Sequence, residues 1–81
     1  SMSVRLDDGV VVTFGPLTRA AIDRRLRSDG SSTPGVILKR GDVRVAEGST
    51  GQVLVKTPDD SYLVSQGGVS MDALSGVELI H

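Results

Sequence analysis

Cysteine is absent from this chain. That removes disulfides, thiolate metal sites and cysteine nucleophiles together, and makes a reducing compartment the default expectation. Histidine occurs once, as His81 at the last position, so neither a histidine-based triad nor a multi-histidine metal site can be assembled within one copy. Tryptophan is missing as well, and Phe14 and Tyr62 are the whole aromatic complement. Proteins that hold single-stranded nucleic acid on a sheet stack bases on aromatic rings, so this poverty weighs against that mode of binding. No apolar run approaches the ~18 residues of a membrane-spanning helix, and the first residues lack the basic-then-apolar order of a secretory signal. The expectation is a soluble, cytoplasmic protein with no membrane partner and no cofactor. Ser1 ahead of Met2 reads as a protease-cleavage scar.

Strong charge of one sign is also lacking. The net charge is −1, which gives no global attraction to polyanions or membranes. Arginine outnumbers lysine seven to two and asparagine does not occur, a usage that suits a GC-rich bacterial or phage genome. With 81 residues the chain is expected to form a single domain with a small core, burying roughly 60–65% of the surface its unfolded form exposes.

Turn residues organise what is present. In VRLDDGVVVTF the Asp8-Gly9 pair suits a tight turn between strands near 3–7 and 10–14. GPLTRAAIDRRLRSDG reads as an α-helix over about 16–28, with Pro16 in the first turn, good helix formers through Arg27, and Gly30 as terminator. SDGSSTPG, residues 28–35, reads as a flexible internal connection. From Gly35 onward short apolar segments alternate with turn residues, giving expected strands near 36–40, 42–47, 52–57, 61–66, 69–72 and 77–80, with a single helical turn in MDALSG before the last. The expected class is thus α+β, mostly β.

Four segments depart from the alternation of a half-wet strand. Val10-Val11-Val12, Val36-Ile37-Leu38, Val53-Leu54-Val55 and Tyr62-Leu63-Val64 are continuous apolar triplets, so both faces of these strands want cover. One helix covers one face. The other must be closed by the sheet curling on itself or by a second subunit, and self-association follows as an expectation from patterning alone.

Chemistry is sparse. Gly48-Ser49-Thr50-Gly51 has neither the spacing nor the lysine of a phosphate-binding P-loop, and β-branched residues follow it instead of a helix; it reads as a hairpin tip. Arg40-Gly41-Asp42 matches the tripeptide that integrins read, but without a secretory signal Gly41-Asp42 reads as a turn. The carboxylate pairs Asp7-Asp8 and Asp59-Asp60 fall in turns, where aspartate bonds neighbouring backbone amides. On the expected helix, Thr18, Ala21, Ile22, Arg25 and Leu26 share one arc, an apolar stripe towards the core that Arg25 interrupts, and Arg19, Asp23 and Arg27 form an i, i+4 ladder on the opposite, solvated face. A functional reading makes Arg19, Arg24 and Arg27, joined by Lys39, Arg40 and Arg44, a basic binding face for phosphates or nucleic acid.

The stretch KRGDVRVAEGSTGQVLV together with YLVSQ and MDALSG, within residues 39–80, is similar in rhythm to small SH3-like barrels, where a Gly-Asp opens a strand, a glycine-rich hairpin follows and a helical turn precedes the last strand. The resemblance implies a small barrel or curved antiparallel sheet and nothing about activity. Among such barrels it resembles the type II dihydrofolate reductases, whose Val-Gln-Ile-Tyr pore motif is absent: GVSMD stands near its place, so no reductase activity is implied. The functional expectation is a non-catalytic interaction or assembly module that associates with itself, or with another protein, through apolar strand faces. Two readings stand beside it: a nucleic-acid or phosphate binder using the basic face, and an enzyme whose site forms only between subunits.

Overall fold

The structure, a computed structural model, describes residues 2–7, 9–26, 32–72 and 76–80, with only the backbone described at 7, 24–26 and 32. Eight strands are formed and, among the described residues, no helix. They are β1 (Met2–Asp7), β2 (Val10–Phe14), β3 (Arg19–Leu26), β4 (Ser32–Val45), β5 (Val53–Lys56), β6 (Ser61–Val64), β7 (Gly68–Asp72) and β8 (Gly76–Ile80).

The 14-residue strand β4 organises everything else. Its first half pairs antiparallel with β3 and parallel with β5, which pairs on to β6. Its second half pairs antiparallel with β2 and β7, which carry β1 and β8 at the edges. The change of sheet happens at a corner. Arg19 pairs with Arg40 but Ala20 pairs with Leu38, so Lys39 is the extra residue of a bulge, and Gly41 follows at φ +90°. Bulges and positive-φ glycines are how one strand turns from one sheet into another.

At that corner the backbone is held from outside. The Gly15 amide donates to the Asp42 carbonyl at 3.1 Å, the Thr18 hydroxyl donates to the same oxygen at 3.2 Å, and the Asp42 amide donates back to the hydroxyl at 3.1 Å. A Cβ on Gly41 would stand 2.5 Å from the Thr18 Cα, so only glycine admits this approach.

The core lies between the two halves. Val36, Leu38, Val53 and Val55 come from one sheet, and Val12, Phe14, Val43 and Val69 from the other; all are buried in one cluster. Burying each such side chain contributes about 1.5–3 kcal/mol relative to leaving it exposed. No buried polar side chain interrupts the cluster among the described residues.

Four expectations are corrected. The helix over about 16–28 is not present: residues 19–26 are strand, paired with β4 from Arg19↔Arg40 to Leu26↔Ser32. A lone helix would have left that edge of β4 without backbone partners, and its apolar stripe was already interrupted by Arg25; satisfying the backbone outweighs the few tenths of a kcal/mol per residue by which Ala, Arg and Leu favour helix. The SH3-like barrel is not formed either, because the sheet does not close on itself. Nor is the sheet purely antiparallel, since Gly35↔Leu54 through Ile37↔Lys56 pair in parallel. Finally, the expected loop 28–35 ends earlier, as Ser32 to Gly35 already belong to β4; residues 28–31 lie outside the described residues.

Three smaller readings also change. The expected strands at 36–40 and 42–47 are one strand, with Gly41 bending it and not ending it. The stretch 47–51 is no hairpin tip but the crossover that carries the chain from the end of β4 to β5, alongside the beginning of β4. In MDALSG, Met71 and Asp72 end β7 and Gly76 opens β8, while 73–75 lie outside the described residues.

Candidate functional site

The crossover loop spends the Ser49 hydroxyl and the Ser49 and Thr50 amides on the fold. The Val11 amide donates to Ser49 Oγ at 3.2 Å, the Ser49 hydroxyl donates to the Val11 carbonyl at 3.2 Å, and the Thr50 amide donates to the Gly9 carbonyl at 2.7 Å. Ala46 closes the same seam, its amide donating to the Val11 carbonyl at 2.8 Å. These groups are turned to the chain, which accounts for the Gly-Ser-Thr-Gly composition without any phosphate.

The basic face is dispersed. A helix would gather Arg19, Arg24 and Arg27 within two turns, whereas a strand sets the backbones of Arg19 and Arg24 about 17 Å apart at ~3.3 Å per residue. The Arg24 side chain and the whole of Arg27 lie outside the described residues. Arg19, Lys39 and Arg40 do come together at the exposed corner, Arg19 directly opposite Arg40. Arg44 sits on the other sheet, opposite Thr13 and Gly68, with Nε 3.9 Å from Asp42 Oδ2 and its side chain 61% exposed. So three of the six residues share a place, where Arg19 faces Arg40 across the ladder and Asp72 lines the same surface depression as Arg40.

The apolar triplets explain themselves in the strands. Their outer residues Val36, Leu38, Val53, Val55 and Val64 point into the core, while the middle residues Ile37, Leu54 and Leu63 fall on the opposite face, where Ile37 is 36% and Leu63 52% exposed. Among the described residues no helix covers that face.

A second apolar surface was not legible in the sequence. Met2, Val4, Phe14, Leu17, Ala20 and Ile22 line an open groove of about 380 Å³ between the β1–β2 hairpin and β3. It exists because β3 extends past the core: Ala20 and Ile22 are exposed although their partners Leu38 and Val36 are buried. Met2 is 62%, Ile22 54% and Leu17 85% exposed around it. Leu17 also holds φ +59°, a left-handed conformation that a leucine adopts at a cost of about 1–2 kcal/mol. The helical reading concealed this groove, because it placed Ile22 on a stripe facing the core.

Among the described residues no three acidic or histidine side chains form a metal-holding group, and no helix is long and apolar enough to cross a membrane. No family model matches the chain, and neither a curated protein nor a solved structure is significantly similar to it.

Proposed function

We propose that this chain is a non-catalytic assembly module that associates with itself through its apolar strand surfaces. One observation carries the reading. Three large apolar side chains, Met2, Leu17 and Ile22, stand more than half exposed around a single groove, and one of them is held there in a strained backbone conformation. Exposed apolar patches on a small domain mark contact surfaces, and strain persists where a function needs the residue. Absolute molar mass by size exclusion with light scattering, taken over a range of protein concentration at low and high salt, tests it. A mass above the monomer that survives high salt is expected, because apolar contact is not screened. A monomer at every concentration and salt ends the reading.

A second reading rests on the Arg19, Lys39 and Arg40 corner, which offers three clustered cations to a phosphate backbone. It predicts binding of a labelled oligonucleotide that weakens steeply with salt and is lost in Arg40→Glu. Absent or salt-insensitive binding removes it.

A further inference from the structure

Among the described residues strand β3 is an edge strand, paired on one side with β4 and with no strand along the other. We propose that a second copy of this chain occupies that open edge, the two β3 strands pairing antiparallel about a two-fold axis at Ala21 to join both β3-bearing sheets into one. The inference rests on the assembly reading above and specifies its partner, element and register.

The argument is one of complementarity. A two-fold axis perpendicular to a sheet keeps inner faces inner and outer faces outer, so residues opposed across the new seam must share a face, and only registers that shift in steps of two are allowed. With Ala21 opposite the partner's Ala21, Arg19 faces the partner's Asp23 and Ala20 faces the partner's Ile22. Rows across the joined sheet then follow from the pairing within each copy. On the outer face one row reads Ile37, Ala21, the partner's Ala21, the partner's Ile37, apolar throughout. On the inner face another reads Leu38, Ala20, the partner's Ile22, the partner's Val36, again apolar, with a small residue set against a large one. The charged row reads Arg40, Arg19, the partner's Asp23, the partner's Gly35. Here the partner's Asp23 is set opposite Arg19, and symmetry supplies the pair twice.

Neighbouring registers do worse. A slip of two residues one way sets Arg19 opposite the partner's Ala21 and gives up the charge pair; a slip the other way sets Arg19 opposite the partner's Arg25. The chosen register also extends the groove lining, because Ile22 of each copy comes to lie beside the partner's Ala20, itself a groove residue.

The absence of cysteine makes a direct test available. Opposed residues on antiparallel strands have Cα atoms about 4.5–5.5 Å apart, within the range a disulfide spans. Ala21→Cys, exposed and conservative in size, is expected to form a covalent dimer under mild oxidation, while Leu63→Cys, on β6 at the far edge of the same sheet, is not. Arg19→Asp is expected to weaken dimerisation about tenfold by setting carboxylates opposite each other twice, and Arg19→Asp with Asp23→Arg to recover most of it. Circular dichroism of each variant guards against misfolding. A dimer that Ala21→Cys locks no better than Leu63→Cys, and that Arg19→Asp leaves unchanged, overturns the seam while leaving the assembly reading standing. A monomeric wild type overturns both.

Discussion

Single residues in this protein show where shape outranks composition. Leu17 is the clearest, since a glycine would sit at φ +59° without strain and an exposed leucine gains nothing from its own fold. Leu17→Gly should therefore leave stability unchanged or raise it by up to about 1.5 kcal/mol: the relieved strain is about 1–2 kcal/mol, and the added freedom of the unfolded chain offsets about 0.5–1 kcal/mol of it. The same change should weaken self-association. Urea unfolding and light scattering on one sample read both, and a variant that loses stability would show that Leu17 packs for the fold. Gly41 is the opposite case. Gly41→Ala adds the left-handed penalty to a collision with the backbone of Thr18, and a loss of at least about 2 kcal/mol in urea unfolding is expected. Neither residue's role was readable in sequence. Leu17 looked like an ordinary helix residue, and Gly41-Asp42 looked like a turn between two strands because a bent continuous strand uses the same dipeptide.

Elements were legible wherever a local signal and the tertiary structure agreed. The hairpin of β1 and β2 with Gly9 at φ +81° between them, the turn of Thr57 to Asp60 with its Thr57 amide donating to the Asp60 carbonyl at 2.8 Å, and the strands β5 to β8 follow from alternation and turn residues. Strand β3 was misread because RAAIDRRL has the composition of a helix, and nothing within it announces that the edge of β4 needs eight residues of pairing. The crossover was misread for a related reason, since strand order is a property of the whole sheet and Gly48 to Gly51 carries only local information. The basic face lost the helix that was to gather it, leaving Arg19, Lys39 and Arg40 at one strand corner and Arg44 on the other sheet, while the middle residues Ile37 and Leu63 of the apolar triplets stand exposed. For the crossover, the expectation is specific. Ser49→Ala removes the hydroxyl that both accepts from and donates to Val11, and should cost about 1–2 kcal/mol. If the loop were held by its glycines alone, the urea midpoint would not move.

Taken whole, the molecule is two small sheets with one strand in common, and that sharing governs how it unfolds. Neither sheet has a core of its own: Leu38 and Val36 from the first half of β4 and Val43 from the second lie in one buried cluster with β2, β5 and β7. Total stability for a chain of this length is on the order of 4–12 kcal/mol, and Leu38→Ala should remove about 2–5 kcal/mol of it, since Leu38 is fully buried. Because β4 cannot leave one sheet and stay in the other, that loss must be felt equally in both. Tyr62, the only tyrosine in a chain without tryptophan, sits in β6 and reports the sheet built on β3, β4, β5 and β6, whereas far-UV circular dichroism reports all eight strands. The two signals should therefore share one urea midpoint in the wild type, and shift together in Leu38→Ala. A tyrosine transition that precedes the dichroism would mean the sheet bearing β3 opens first, and the shared strand would then be a hinge between two stabilities instead of the spine of one.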